Sequence, residues 1–241
     1  MPSDPSTETP AEATRTSSMG AAMQPFALIR LQQCFDSQFP IGAFVHSGGI
    51  ESYASLQGFG PDELQELLAV QIRLGWGRLD LAAAALAWDR AANTDALNEL
   101  AMEVEAWKPI SGQRLAGERM GRRMQVLAKR LFPAEIGPLD VKPPQSSVVA
   151  GVIARRLELD REPFVLFYAN SSLTAALAAS TRSMTLSPER AQEILVALQP
   201  RLVEQVETVL ADAEASLFAA TPAHDMRAHQ QAFLHTRLFQ S

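Results

Sequence analysis

Apolar residues recur every three or four positions along most of this chain, which is the spacing of helices that bury one face. The clearest such pattern lies in the C-terminal third and comprises Leu195, Leu198, Leu202, Val206, Val209, Ala213 and Leu217. Ser187, Pro188 and Glu189 precede it as a cap, a first-turn proline and a first-turn acid, and they predict where this helix begins. Pro200 lacks the amide hydrogen that an interior helical residue donates, so we expect a kink or a short break near Gln199.

The same spacing predicts helices over most of the remaining chain. Patterned segments begin near Phe26, Pro61, Asp80, Thr94, Pro109, Gln145 and Glu162. Thr94 is the predicted cap of its helix, and Ser47 is the predicted cap of a short helix that contains Glu51. Glycines around Trp76 and a proline-rich stretch at 132–144 interrupt the pattern. Because alternating strand patterns are absent, the sequence predicts an all-α domain over 25–220, a compact bundle of about 9–10 helices.

Composition narrows the classes of protein that fit. The chain has 241 residues, 47% of them hydrophobic, a net charge of −6 and a single cysteine, Cys34. A net acidic balance disfavours nucleic-acid binding and fits a cytoplasmic protein. Residues 1–24 are rich in Pro, Ser, Thr, Ala and Glu and have no apolar segment, which predicts a disordered tail rather than a secretion signal. No uninterrupted run of about 18 apolar residues occurs, so we expect no membrane span.

The segment 31–53 has the most unusual composition in the chain. Aromatic residues, a proline and three glycines surround Asp36, His46 and Glu51. This mixture predicts a specific loop between two helices that can serve as a recognition surface. The three polar residues also permit a second interpretation, a small helical metal-dependent hydrolase in which they act as acid, base or ligand.

Other signatures of catalysis or metal binding are missing from the sequence. It contains neither a phosphate-binding GxxxxGK[ST] loop nor a GxSxG nucleophile elbow. His224, His229 and His235 are spaced five and six residues apart, so they do not stack on one helical face. The spacing therefore gives no self-contained tight metal site, although ligands shared with a second subunit stay possible.

Two further segments have more than one interpretation. The segment 114–130 carries Arg114, Arg119, Arg122, Arg123, Lys129 and Arg130. It is a solvated helix face, a docking surface for an acidic partner, or a nucleic-acid-binding face. The C-terminal segment 221–241 keeps Phe233, Leu234, Leu238 and Phe239 in a polar setting. It either becomes ordered on a partner or packs as a final helix on its own domain, and we predict that it binds a partner.

The chain resembles the family of urease accessory proteins called UreF from about Phe26 to its C-terminus. The strongest likeness lies in the opening segment and comprises Asp36-Ser37, Phe39-Pro40, Gly42-Ala43-Phe44, His46-Ser47, Gly49, Glu51 and Tyr53. A second likeness lies at the other end and comprises Asp225-Met226-Arg227, His229, Arg237-Leu238-Phe239 and Ser241. Between them the chain departs from the family pattern after Arg182 and at Ser146 and Ser147.

This resemblance implies an all-helical homodimer without catalytic activity. It implies binding to UreD, called UreH in some organisms, and to the GTPase UreG, in an assembly that delivers nickel to apo-urease in the cytoplasm. Nickel is then the cargo of the complex, and this chain binds no cofactor of its own. GTP is bound and hydrolysed by UreG, in keeping with the missing phosphate loop.

The resemblance also assigns residues. Those expected to bind partners or to shape the binding surface are Asp36, Phe39, Pro40, Gly42, Phe44, His46, Ser47, Glu51, Arg182, Arg227, His229, Arg237, Leu238 and Phe239. Within this set, Arg227, His229, Arg237, Leu238 and Phe239 are expected to face UreD.

Overall fold

The computed structural model describes residues 25–36, 39–42, 48–233 and 238–239, and within them the chain is helical without any strand. The α-helices are α1 Pro25–Phe35, α2 Ile50–Ala54, α3 Pro61–Leu74, α4 Trp76–Asp89, α5 Thr94–Ala106, α6 Ser111–Leu131, α7 Pro133–Ile136, α8 Ser146–Arg156, α9 Arg161–Ser183, α10 Pro188–Ala211 and α11 Pro222–Gln230. A 3₁₀ turn, Gln231–Phe233, follows. The all-α prediction is confirmed, and α2 and α7 are only single turns.

The centre of the fold is the crossing of α4 and α8. Alanines dominate α4, and every residue of 81–87 is buried. A side chain added at Gly151 of α8 would collide with the carbonyl oxygen of Ala84 and would lie 2.8 Å from the Ala87 Cβ. The two helices therefore approach backbone to backbone, which small residues permit. The Trp88 indole donates to the Leu159 carbonyl at 2.8 Å and closes one end of this crossing.

The other helices surround this pair. Helices α3 and α10 pack against α4, α6 packs against α8, and α9 packs against α10 and α4. Helices α1 and α2 also pack against α9, and α11 packs on α2. Helix α9 is long and apolar enough to span a membrane by length and composition alone, with 39% of its most apolar stretch buried. Its contacts with five other helices, α1, α2, α4, α8 and α10, fit a helix within the bundle.

Several element boundaries differ from the predictions. Helix α10 runs unbroken through Pro200, so the short break expected near Gln199 is wrong, while the alternative of a kink stays a prediction. Pro200 and Val196 face solvent, where water can bond to the Val196 carbonyl that an amide at position 200 would otherwise bond. Helix α10 ends at Ala211 because the Asp212 carboxylate accepts from the Ala215 amide at 2.9 Å and stabilises a turn. Ala213 and Leu217 are buried, as their spacing predicts, but outside the helix.

Two predicted caps also require correction. The side chain of Asn93, not Thr94, caps α5 by accepting from the Ala96 amide at 3.1 Å. Gly49, in a left-handed conformation, precedes α2, while Ser47 lies outside the described residues. The Ser187 cap is confirmed, since its hydroxyl accepts from the Arg190 amide at 3.1 Å. The predicted disordered tail, 1–24, lies outside the described residues.

Candidate partner-binding site

The described part of the opening segment is a tight turn that leaves α1. The Phe39 amide donates to the Asp36 carbonyl at 3.0 Å, and the Ile41 amide donates to the Phe39 carbonyl at 2.7 Å. Gly42 follows with a φ of 86°, a conformation that glycine adopts without strain. The Arg123 guanidinium donates to the Pro40 carbonyl at 3.3 Å and joins this turn to α6. Phe44, His46 and Ser47 lie outside the described residues.

Gly49 brings the two ends of the chain together. Its φ is 93°, and a Cβ built on it would lie 2.9 Å from the Cβ of Ala228 in α11. Helix α11 therefore rests directly on the backbone that begins α2. Such a close approach requires a small residue on both sides, which Gly49 and Ala228 provide.

His224 strengthens the contact between α11 and α2. Its imidazole stacks on the Tyr53 ring, with centroids 5.7 Å apart and planes 14° apart. Burial lowers the pKa of His224, and a hydrogen bond with the Gly48 backbone offsets part of that effect. Its Nδ1 atom is buried and has no hydrogen-bond partner within the ranges that the structure describes. Burial likewise raises the pKa of Tyr53, an effect that the nearby Arg227 reduces.

The carboxylate of Glu51 binds the end of the chain. Glu51 is buried at the start of α2, and its oxygens accept from Gln231 Nε2 at 3.0 Å, the Leu238 amide at 2.5 Å and the Phe239 amide at 3.3 Å. The buried ring of Phe239 lies under the Arg182 guanidinium, whose Cζ is 4.6 Å from the ring centroid. We call these four contacts the Glu51 clamp. It unites three predicted residues in addition to Glu51 itself: Arg182, Leu238 and Phe239.

Outside the clamp, the C-terminal segment presents apolar side chains to solvent. Met226, Phe233 and Leu238 are between 65% and 74% exposed. The His229 ring packs edge-on against Phe233, with centroids 5.5 Å apart, and Arg227 donates to the side-chain oxygen Oε1 of Gln230 at 3.0 Å. Arg237 lies outside the described residues. Exposed apolar side chains on a segment anchored from behind suit contact with another protein.

Helix α11 also forms part of the wall of a cavity of about 300 Å³. Thr221, His224 and Asp225 line one side of it, and Gln113 donates a hydrogen bond to the Asp225 carboxylate. The ion pair of Lys108 and Asp80, 2.8 Å apart, lines another side. A partner that shifts α11 would therefore reshape this cavity.

The geometry gives little support to acid–base chemistry in the opening segment. Glu51 is buried and holds the tail, whereas Asp36 is exposed at the end of α1. Among the described residues, no three of His, Cys, Asp and Glu lie close enough together to hold a metal ion. His46, the third residue of that hypothesis, lies outside them. The described side chains instead form a buried anchor for the protein's own residues 238 and 239, with exposed apolar side chains beside it.

Sequence reasoning missed the roles of Gln231 and His224, and it did not pair Gly49 with Ala228. In the Glu51 clamp, Glu51 binds groups that lie 180 to 188 positions away in the sequence, so no local pattern indicates it. The smallness of Gly49 and Ala228 was a usable signal for a close approach, but only once both segments were known to be neighbours.

These features define an all-helical protein that folds its C-terminal segment back onto the motif at its N-terminal end. Comparison with known proteins agrees with that class. A statistical description of the UreF family matches residues 59–199, which lie between the two end motifs. The chain belongs to the UreF family of urease accessory proteins.

Relatives extend the similarity to nearly the whole chain. The urease accessory protein UreF of Bacillus sp. (strain TB-90) is 29% identical over 89% of this chain and 99% of its own length. The UreF proteins of Actinobacillus pleuropneumoniae serotype 5b and of Haemophilus influenzae (strain PittEE) are 31% and 30% identical, each over 86% of this chain and over 95% and 92% of their own lengths. All three relatives are named as accessory proteins.

Proposed function

We propose that this protein is a non-catalytic, dimeric scaffold of urease maturation. It binds UreD and the GTPase UreG and takes part in delivering nickel to apo-urease in the cytoplasm. Family membership supports a role in urease maturation. The observation that carries the scaffold proposal is the Glu51 clamp, because it holds Leu238 and Phe239 at a fixed position beside α2.

The clamp reduces the entropic cost of binding. A free terminal segment loses conformational freedom when it binds a partner, and that loss subtracts from affinity. Here Phe239 is already buried and its amide is already bonded to Glu51, so the ordering of this residue precedes binding. Leu238 then stands exposed beside the buried Phe239 and is available to a hydrophobic pocket on the partner. UreD is the proposed partner of this face.

The polar residues nearby have a positioning role in this proposal. Arg182 holds the Phe239 ring, and Arg227 lies beside Tyr53. His229 supports Phe233 from one side. Phe39, Pro40 and Gly42 shape the turn that Arg123 attaches to α6. We extend the same role to Phe44, His46, Ser47 and Arg237, on the resemblance alone.

The test is co-purification of the full chain with UreD and UreG, followed by measurement of the mass of the complex. We expect an assembly that contains two copies of this chain. A chain that stays monomeric and retains neither partner would overturn the proposal, as would turnover of a substrate by the purified chain.

Two variants test the clamp itself. Glu51→Gln keeps the size of the side chain but replaces one acceptor oxygen with a donor, so we expect faster amide exchange at Leu238 and Phe239 and weaker binding to UreD. Glu66→Gln is the matched control, because Glu66 is exposed on α3. Removal of residues 238–241 should weaken UreD binding while leaving α11 in place. Unchanged UreD affinity in both the clamp variant and the truncated chain would contradict the role of the clamp.

A further inference from the structure

Helix α6 carries a concentration of positive charge that the proposed function does not use. It contains six basic residues and one acid, Glu118, which gives +5, whereas the whole chain carries −6. The rest of the chain therefore carries −11. The charge of α6 is therefore opposite in sign to that of the rest of the protein.

A first group of three basic residues on α6 donates to backbone carbonyls elsewhere in the fold. Arg114 donates to the Lys108 and Pro109 carbonyls, Arg123 donates to the Pro40 carbonyl, and Lys129 donates to the Leu139 carbonyl. These three side chains therefore join α6 to neighbouring segments of the fold.

The second group comprises Arg119, Arg122 and Arg130, and all three are exposed. The ion pair of Arg122 with Glu118 is long, at 4.0 Å. Arg130 has no hydrogen-bond or ion-pair partner in the described parts of the chain. Packing of the bundle therefore gives no reason for Arg122 and Arg130 to be basic.

These exposed arginines share one face with two exposed apolar residues. Leu115, Arg119, Arg122, Val126 and Arg130 follow one another at spacings of four, three, four and four residues, which places them within about 80° of arc and along about 22 Å of helix. Leu115 and Val126 are each about half exposed. We call these five residues the α6 stripe. It lies opposite the buried face of α6, which includes Ala116, Gly121 and Met124.

This composition is that of a protein interface. Arginine is enriched in protein–protein interfaces, and apolar side chains supply their desolvated centre. A nucleic-acid-binding face needs a basic domain around it, which a remainder of −11 does not provide. Complementary charge steers the approach of a partner and selects against wrong ones.

We propose that the α6 stripe is a docking surface for an acidic face of another protein in the urease-maturation assembly. The partner presents carboxylates to Arg119, Arg122 and Arg130 and apolar side chains to Leu115 and Val126. The inference rests on the proposed function for the choice of partners, but it concerns a surface separate from the Glu51 clamp.

The experiment compares two double charge reversals in the full chain. Arg122→Glu with Arg130→Glu alters the stripe, and Arg73→Glu with Arg201→Glu makes the same charge change at exposed positions of α3 and α10. Each chain is titrated separately with purified UreD, UreG and apo-urease at low and at near-physiological salt. Circular dichroism and thermal unfolding check that both variants remain folded.

We expect one of the three proteins to bind the stripe variant at least about tenfold more weakly than it binds the control, with the difference shrinking as salt rises. The neutral pair Arg122→Gln with Arg130→Gln should give an intermediate loss. If all three proteins bind both reversals equally, the stripe is a solvated face and the proposal is wrong.

Other outcomes separate the alternatives. Salt-sensitive binding of the unaltered chain to random-sequence DNA or to vesicles containing phosphatidylserine, abolished by the stripe reversal, would overturn the proposal in favour of that ligand. Failure of the unaltered chain to bind any of the three proteins would overturn the proposed function and this inference with it. Loss of binding in the Glu51→Gln chain but not in the stripe variant would leave the function standing and remove only the stripe.

Discussion

The contact between Gly49 and Ala228 gives the most direct test of how the two ends of the chain are joined. Replacement of Gly49 by alanine introduces two costs. The φ of 93° is one that a residue with a Cβ rarely adopts, and left-handed backbone costs such a residue roughly 1–2 kcal/mol. The new Cβ also lies 2.9 Å from the Cβ of Ala228 and 3.2 Å from His224 Cε1, and overpacking of this kind costs about 1–3 kcal/mol.

Gly58 separates these two costs. Its φ is 84°, nearly that of Gly49, but nothing lies within 4 Å of a Cβ built there. Gly58→Ala therefore carries the backbone cost alone. We expect Gly49→Ala to be the more damaging substitution, by about 2 kcal/mol.

The loss in Gly49→Ala should appear mainly as undocking of α11, because a terminal helix opens locally at less cost than the whole fold. The assay is amide hydrogen exchange in α11, together with urea denaturation of the whole chain. A penalty of about 2 kcal/mol corresponds to roughly thirtyfold faster exchange in α11, while the global free energy of unfolding falls by no more than the docking free energy of α11.

A second substitution checks the cause. Ala228→Gly removes the nearest atom, so in the Gly49→Ala background it should recover part of the loss, measured as the coupling term of a double-mutant cycle. Equal effects of Gly49→Ala and Gly58→Ala on α11 exchange, or a coupling term of zero, would refute the close approach.

Three further predictions concern the described bundle. Pro200→Ala should raise the free energy of unfolding by about 1–3 kcal/mol in urea denaturation, since it restores a hydrogen bond to Val196 in an unbroken helix; a decrease would show that the proline is needed there. Because burial lowers the pKa of His224, the unfolded state binds a proton that the native state excludes. The free energy of unfolding should therefore fall as pH drops below about 6.5, by up to about 1.4 kcal/mol per pH unit. This pH dependence should flatten in His224→Phe, and an unchanged slope in that variant would contradict the prediction. Burial raises the pKa of the Cys34 thiol to about 11, so a thiol reagent should modify the native chain slowly at pH 8 and the urea-unfolded chain rapidly; equal rates would mean that α1 opens freely.

The sequence predicts best those features that neighbouring residues determine. The Ser187 cap and the break at Gly75 are each decided within a few residues, and both are found. The spacing of buried residues continues beyond the end of α10, through Leu217, so this spacing by itself predicts too late an end for the helix. Asp212 is a local indication that the helix ends, because its side chain accepts from the Ala215 amide and stabilises a turn. One acidic residue within a long apolar pattern is a weaker indication than the pattern itself.

Contacts between distant segments lie beyond that kind of reasoning. The polar setting of the tail left two interpretations of it open. Of its described residues, α11 packs on α2 and Phe239 is buried against the domain. The sequence does not show which acidic residue binds the tail, because that depends on which segments lie beside α2 in the folded protein. Glu51 had a sufficient local explanation as a first-turn acid, and this explanation concealed its second role as the anchor of Leu238 and Phe239.

The backbone contact between α4 and α8 has a mechanical consequence. With no flexible side chains between Ala84 and Gly151, neither helix can slide or rotate against the other without steric collision. We therefore expect α4 and α8 to move as one rigid body. Any rearrangement on assembly is then confined to the outer helices, where α2 and α11 meet.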